Sequence, residues 1–208
     1  RAAETDDGTR ARILDAARSL LRTRRHPELL QTSAVTGPAL CGEFRPRLLL
    51  PPGLASRFTP AELRFVFLHE LAHLRRHDIV LNWLLTLLQI LHWFNPVLWF
   101  ALRRMRADGE LACDAEALRV AAEGESKAYG ATIIKLLEGA TRPNVLPGVV
   151  GILENRSELE RRLRMIVRFR PGRHRFGFTV LITLLLGLVC LTDAAGSKPG
   201  ASQNPAGT

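Results

Sequence analysis

Apolar residues recur at helical spacing through much of the chain, and short apolar runs replace this pattern in one region. Residues 10–25 predict a basic amphipathic helix, with aliphatic side chains on one side and arginines on the other. Residues 34–52 contain short apolar runs separated by Gly42 and Pro46, which predicts a strand or a hairpin. The predicted fold class is mainly α, of the α+β type, with a short β-hairpin.

The clearest helix start lies at Thr59. The segment Thr59-Pro60-Ala61-Glu62 combines a capping box with proline at the first helical position. This helix should continue to about Arg76 or beyond, and it contains the segment His69-Glu70-Leu71-Ala72-His73. Three more helices are predicted at 103–122, 129–139 and 157–168.

Two long runs carry no charged side chain. Residues 79–102 are long enough for a membrane span, although Asn95-Pro96 is a natural break within them. Residues 176–192 are predicted to form a transmembrane helix. Arginines lie densely before this second run, so the positive-inside rule puts the preceding part of the chain in the cytoplasm. The tail at 193–208 is rich in Gly, Ser, Pro and Ala, and we expect a disordered extracytoplasmic tail.

The net charge of +9 admits nucleic acid, an anionic membrane surface or an acidic protein as partner. Arginines concentrate at 156–175, directly before an apolar run, and the sequence has no nucleic-acid-binding signature. We therefore expect a lipid bilayer as partner and no direct nucleic-acid binding. Three cysteines, Cys41, Cys113 and Cys190, give no disulfide framework and fit a reducing, cytosol-facing compartment.

His69 and His73 lie one helical turn apart, so their rings can bind one metal ion from the same face. Glu70 is placed to act as the general base that removes a proton from the attacking water. The same pattern also arises by chance on helices with two ordinary histidines. Its position on a capped helix with an apolar face favours a zinc metalloendopeptidase with one zinc ion per chain.

A catalytic zinc needs a third protein ligand. His77 is displaced by about 12 Å from His69 along a straight helix, which is too far to share the ion. Glu110, on a separate predicted helix, is the better candidate. Asp114, one turn later, can accept a hydrogen bond from a ligand histidine and fix its tautomer. The alternative is that these two acidic residues belong to a solvated face.

Three further residues have two interpretations each. Tyr129, the only tyrosine, could contact the substrate and stabilise its oxyanion, or it could pack between helices. His92 could take the same role, or it could make a polar contact within 79–102. Cys113 could be a reactive thiol, although a small packed residue is favoured because two histidines and a glutamate already complete the site.

Five segments of the chain occur together in one family. They are GEFRP at 42–46, HELAHLRRHD at 69–78, HWFNP at 92–96, RRMRADGELACD at 103–114 and LERRLRMI at 159–166. In this combination the chain resembles the BlaR/MecR-type antirepressor membrane zinc metallopeptidases, over about residues 34–192.

The resemblance implies a gluzincin-like zinc metalloprotease domain with membrane-associated helices. It implies His69, His73 and Glu110 as zinc ligands, Glu70 as the catalytic acid/base and Asp114 as a supporting residue. It also implies regulatory proteolysis of a protein substrate, either a cytoplasmic transcriptional repressor or the chain itself. The expected location is the cell (inner) membrane with the catalytic site facing the cytoplasm, and a homodimer is a candidate assembly.

This site constrains the uncharged segment 79–102. A single membrane span would put His73 and Glu110 on opposite sides of the bilayer, where they could not share a zinc ion. Both flanks of the segment are also basic. We therefore expect two helical limbs, broken at Asn95-Pro96, that return to the same side and are partly embedded in the membrane.

The expected organisation has four parts. Residues 1–33 hold the basic N-terminal helix, preceded in a multi-pass full protein by a membrane portion, because the chain begins at Arg1. Residues 34–170 form the protease domain, 176–192 the transmembrane helix and 193–208 the tail. Two alternatives to the regulatory endopeptidase remain: a membrane quality-control protease of the HtpX type, and a protease-derived signalling scaffold that does not cleave. The intact HELAH and ELACD segments favour an enzyme.

Overall fold

A computed structural model describes residues 2–140 and 151–169 of the chain. The elements in this part are listed here in chain order: helix α1 (Ala2–Leu21), strands β1 (Glu28–Gln31), β2 (Ala39–Cys41) and β3 (Arg47–Leu50), a short 3-10 turn (Ala55–Arg57), and helices α2 (Pro60–Arg76), α3 (Asp78–Leu91), α4 (Pro96–Val120), α5 (Ser126–Ala140) and α6 (Gly151–Val167). The predicted loop at 141–151 falls largely outside the described residues, and the predicted transmembrane helix and tail fall wholly outside them.

The three strands form one small sheet in the order β1-β3-β2. Strands β2 and β3 pair antiparallel, which confirms the predicted hairpin. Gly42 follows β2 with a φ of +79°, and a Cβ there would lie 2.5 Å from the carbonyl oxygen of Arg45. Strand β1 was not predicted; it pairs parallel with β3, whose Leu48 and Leu50 point into the core.

Helix α1 packs along α2, and its apolar side, with Leu14, Ala17 and Leu21, is buried there. The basic N-terminal helix therefore lies in the same compact unit as the sheet and α2 to α6. Helix α2 is the centre of this unit, since most of its residues between Leu63 and Leu74 are buried.

The capping box predicted for α2 is present. The Thr59 side chain accepts from the backbone N–H of Glu62, and the Glu62 carboxylate accepts from the backbone N–H of Thr59. The helix ends at Arg76, as predicted, because His77 adopts a left-handed conformation with a φ of 59°. The chain then turns directly into α3.

The uncharged segment 79–102 forms two helical limbs joined by a tight turn, as expected. The Asn95 side chain accepts from the backbone N–H groups of Val97 and Leu98 and so caps α4, and Pro96 is the first residue of that helix. The second limb runs on without a break into the helix predicted from Arg103, so both form α4. Across the described residues, no helix combines the length and the apolar character that a membrane crossing requires.

Candidate active site

Three side chains from two helices converge on one point. His69 and His73 lie one turn apart on α2, and Glu110 reaches them from α4. Glu110 Oε2 lies 3.4 Å from His69 Nε2, and Glu110 Oε1 lies 3.6 Å from His73 Nε2. Helix α4 follows α3 and packs against both α3 and α2. Glu110 therefore lies beside the face of α2 that carries the two histidines.

This group has the composition and spacing of a zinc site. One ligand atom from each residue lies within 4.8 Å of the other two. Two ligands bound about 2.1 Å from a tetrahedral ion are about 3.4 Å apart, close to the distances seen here. Two imidazoles and one carboxylate also leave a fourth position open, as a catalytic zinc requires. The three residues therefore fit a single zinc ion.

Each histidine is held through its other ring nitrogen by a carboxylate. Asp114 Oδ1 lies 3.0 Å from His69 Nδ1, and Asp78 Oδ2 lies 2.8 Å from His73 Nδ1. A carboxylate that accepts the Nδ1 N–H orients the ring so that Nε2 faces the metal position. Asp114 was predicted in this role from the sequence. Asp78, the first residue of α3, was not.

Asp114 is the centre of a buried hydrogen-bond network. It is fully buried, and its Oδ1 accepts from the Tyr129 hydroxyl at 2.8 Å. Arg162 of α6 donates to both oxygens, from Nε at 2.8 Å and from Nη2 at 2.9 Å. Burial alone would raise the pKa of Asp114, but the hydrogen bonds from His69 and Arg162 lower it. The network therefore keeps the carboxylate ionised behind His69.

Burial of Glu70 favours a proton acceptor at this position. Burial raises the pKa of this carboxyl group, against the opposing effect of the neighbouring histidines. Burial would also raise the pKa of Glu110, but the His69 hydrogen bond and charge lower it to about 2. Glu110 is thus ionised and suited to a metal, while Glu70 holds a proton more readily than an ordinary glutamate.

Glu70 and the three convergent residues line one open pocket of about 350 Å³. Its polar wall also includes Asp78 and Arg162. Its apolar lining includes Leu40 of β2, Ile79 of α3, and Ile133, Leu136 and Leu137 of α5. The pocket therefore brings Glu70 and the three convergent residues next to an apolar surface.

Two of the residues with open interpretations lie outside this pocket. His92 is exposed at the end of α3, where its Nδ1 lies 3.2 Å from the carbonyl oxygen of Leu88. His92 therefore makes a polar contact within 79–102, which was the alternative to a role in stabilising the oxyanion. Tyr129 is fully buried beneath the site, with its hydroxyl on Asp114 and 3.2 Å from His69 Nδ1. Its ring packs edge-on against Phe65.

Cys113 also lies behind the site. It is fully buried, and its Sγ donates to Asp78 Oδ2 at 3.3 Å. Burial and the adjacent Asp78 carboxylate raise the pKa of the thiol, so it stays protonated. The protonated thiol donates to Asp78 and so supports the carboxylate behind His73.

His77 is turned away from the metal position. Its Nδ1 lies 2.7 Å from Glu43 Oε1, at the edge of the sheet. The exclusion of His77 as third ligand therefore agrees with its position in the structure.

Sequence reasoning missed Asp78 and Arg162 as parts of the site. Both lie within the segments that carry the family resemblance, Asp78 at the end of HELAHLRRHD and Arg162 in LERRLRMI. Membership of those segments was the available signal, since neither residue has a spacing that links it to the histidines.

An HExxH helix completed by a carboxylate from a second helix is the arrangement of a metallopeptidase. The family model described as BlaR1 peptidase M56 matches residues 1–166. The chain belongs to this BlaR1 peptidase family, which confirms the family predicted from the sequence.

Similar curated proteins include a regulatory protein and methicillin resistance proteins. The chain is 28% identical over 163 residues to the regulatory protein BlaR1 of Bacillus licheniformis; this match covers 77% of the chain and 27% of BlaR1. It is 29% identical over 112 residues to the methicillin resistance mecR1 protein of Staphylococcus aureus, covering 54% of the chain and 19% of that protein. The mecR1 protein of Staphylococcus epidermidis matches equally. The chain thus spans about a quarter or less of the length of these relatives.

Proposed function

We propose that the chain is a membrane-bound zinc metalloendopeptidase that acts in regulatory, site-specific proteolysis. The observation that carries this proposal is the convergence of His69, His73 and Glu110 beside Glu70 in one open pocket. The regulatory role is supported by the family and by the printed name of the BlaR1 relative.

In the proposed reaction each side chain has a separate task. When bound, zinc would supply a Lewis acid that polarises the scissile carbonyl and acidifies the attacking water. Glu70 accepts the proton of that water and passes it to the leaving amine. Asp114 and Asp78 hold the two ligand histidines in the required tautomer. Arg162 keeps Asp114 ionised and in place, so it acts as a positioning residue.

The substrate of the proposed enzyme is a protein segment in an extended conformation. The apolar wall of the pocket, with Leu40, Ile133 and Leu137, suits an apolar side chain next to the cleaved bond. We propose a cytoplasmic transcriptional repressor or the chain itself as the substrate, and a homodimer as a candidate assembly. The proposed location is the cell (inner) membrane, with 176–192 as the anchor and the pocket facing the cytoplasm.

The test uses two substitutions in the purified full chain. Glu70→Gln should keep zinc but lose about 10²–10⁴-fold in peptidase rate, because an amide cannot accept the proton. Glu110→Ala should lose zinc, as measured by metal analysis after dialysis. Glu123→Ala is a matched control, since Glu123 is exposed and lies just beyond α4; it should retain both zinc and activity.

Three results would contradict the proposal. Full zinc retention with activity in Glu110→Ala would remove this residue from the metal site. A wild-type chain that binds no zinc and cleaves nothing would favour the signalling scaffold. Cleavage of many unfolded proteins without a preferred bond would favour the quality-control protease.

A further inference from the structure

Most of the large apolar side chains that are exposed in the described residues lie on one hairpin, formed by α3 and the start of α4. We call residues 79–102 the apolar hairpin. Six of its side chains are each 64–75% exposed: Trp83, Ile90, Trp93, Phe94, Val97 and Phe100. No residue of the hairpin is charged. Exposed apolar surface of this extent marks an interaction site.

The distribution of this surface favours a surrounding medium over a single partner helix. At about 100° per residue, the exposed apolar side chains of α3 between Val80 and Leu91 cover about 180° of the helix. The tip of the hairpin, with Trp93 and Phe94, is exposed and apolar as well. A docked helix covers one stripe and leaves the tip bare, whereas lipid contacts the sides and the tip together.

The length of the hairpin limits how far it can enter a bilayer. Helix α3 has 14 residues, which corresponds to a length of about 21 Å. The hydrocarbon core of a bilayer is about 30 Å thick. The hairpin can therefore enter one leaflet and return, but it cannot cross. Glu110 and His69 flank the hairpin in sequence and lie close together in space, so the chain must return to the side from which it entered.

The base of the hairpin carries positive charge. A cleft of about 490 Å³ between α4 and α6 is lined by Phe100 of the hairpin, by Arg103, Arg104, Arg161 and Arg164, and by Ala107 and Glu158. Asp108 neutralises part of this charge, through Arg104 at 3.6 Å and Arg161 at 2.6 Å. Glu160 also pairs with Arg164 at 3.6 Å. Four arginines against three carboxylates still leave the cleft with a net positive charge, which suits anionic headgroups.

We propose that the apolar hairpin inserts into one leaflet of an anionic bilayer, with the arginine cleft at its base on the lipid headgroups. This inference refines the membrane location in the proposed function and does not depend on peptidase activity. It also has a consequence for the substrate. Ile79 and Asn82 of the hairpin line the active-site pocket, so insertion would place the pocket beside the membrane surface. The substrate would then be a protein segment that lies close to the membrane.

The tryptophans allow a direct test in the full chain. The protein has three, and all of them lie in the hairpin: Trp83, Trp93 and Trp99. Their fluorescence therefore reports on the hairpin alone, even when 176–192 also binds lipid. The Glu70→Gln chain, which should not cleave itself, is reconstituted in vesicles of phosphatidylcholine and phosphatidylglycerol that contain acyl chains brominated at defined depths. We expect blue-shifted emission that these lipids quench.

Two sets of variants make the test sharper. A chain that keeps only Trp93, at the tip, should be quenched by deeper bromines than a chain that keeps only Trp99. Arg103→Gln/Arg104→Gln should raise the phosphatidylglycerol content needed for half-maximal quenching. Arg12→Gln/Arg24→Gln removes the same charge from exposed sites outside the cleft and should leave that content unchanged.

Two outcomes would overturn the inference. A chain that floats with the vesicles while its tryptophans keep an aqueous, unquenched emission has its hairpin outside the bilayer. Blue-shifted emission that brominated lipids do not quench, in a chain of dimer mass, would assign the hairpin to a second copy. Both outcomes leave the zinc and peptidase measurements intact, so failure here is distinguishable from failure of the proposed enzyme.

Discussion

Replacing Asp114 with asparagine tests whether one buried carboxylate supports both the metal position and the fold. Asparagine has the same shape but carries no charge and has one acceptor oxygen in place of two, so it weakens the support of His69 and removes the counter-charge of Arg162. The change occurs where solvent cannot compensate, since Asp114 is fully buried and the Arg162 side chain is only 13% exposed. Asp78→Asn is the matched variant, because Asp78 has the same relation to His73.

The two variants should lose similar metal affinity and different stability. Loss of the carboxylate behind a ligand histidine costs about 10–100-fold in metal affinity, which corresponds to about 1.4–2.7 kcal/mol. Breaking a buried ion pair from one side costs about 3–5 kcal/mol. We expect Asp114→Asn to lower the free energy of unfolding by an amount near the lower limit of this range, since the amide keeps one oxygen for Arg162. Asp78 pairs with the more exposed Arg76, so Asp78→Asn should cost about 1 kcal/mol of stability.

The measurements are zinc competition with a chelator and urea unfolding of the metal-free chain. Wild-type zinc affinity in Asp114→Asn would refute the support of His69 by this carboxylate. Equal losses of unfolding free energy in the two variants would refute the argument that the more buried ion pair, Asp114 with Arg162, contributes more to stability. A loss of stability in Asp114→Asn without any loss of zinc affinity would restrict the residue to a structural role.

Three further predictions concern Tyr129, the cap of α2 and cleavage of the chain by itself. Tyr129→Phe should lower the peptidase rate by much less than the ~10²–10³-fold that loss of an oxyanion donor causes, because its hydroxyl lies on Asp114; a loss of that size in steady-state kinetics would restore the oxyanion role. Thr59→Ala should destabilise α2 by about 1 kcal/mol in urea unfolding, and an unchanged midpoint would show that the cap is dispensable. Wild-type membranes, but not those with Glu70→Gln, should yield a fragment that ends between Arg142 and Arg175; its absence from mass spectra, while another protein is cleaved, would exclude self-cleavage.

Local signals in the sequence were sufficient for α2 and for the turn at Asn95-Pro96. A capping box and an N-capping asparagine followed by proline act within a few residues, so their effect can be derived without the fold. Strand β1 had no such signal, because Glu28–Gln31 contains only two apolar residues and is held by parallel pairing with β3. Pairing between segments distant in the sequence is set by the packing of the whole unit.

Some residues of the candidate site could likewise be predicted from local sequence, and others depend on how the helices pack. The histidine pair and Glu70 follow from helical spacing alone. Glu110 was a candidate for the third ligand with a solvated acidic face as the alternative, and the family resemblance implied it as a ligand. Arg162 could not be derived, since it reaches Asp114 only because α6 packs against α4 and α5. Asp78 is close to His73 in sequence, but it contacts the ring because His77 takes a left-handed turn between the two helices.

The order of these residues along the chain has a consequence for biosynthesis. A ribosome releases His69 and His73 first, Glu110 only after the whole apolar hairpin, and Arg162 later still. A nascent chain therefore carries its histidine pair for the time needed to translate dozens of codons before the proposed zinc site can close. Chains that end before Glu110, or whose hairpin fails to fold back, lack the third ligand at the site. Under the proposed function, hydrolytic activity would therefore be absent from every chain that is truncated before Glu110.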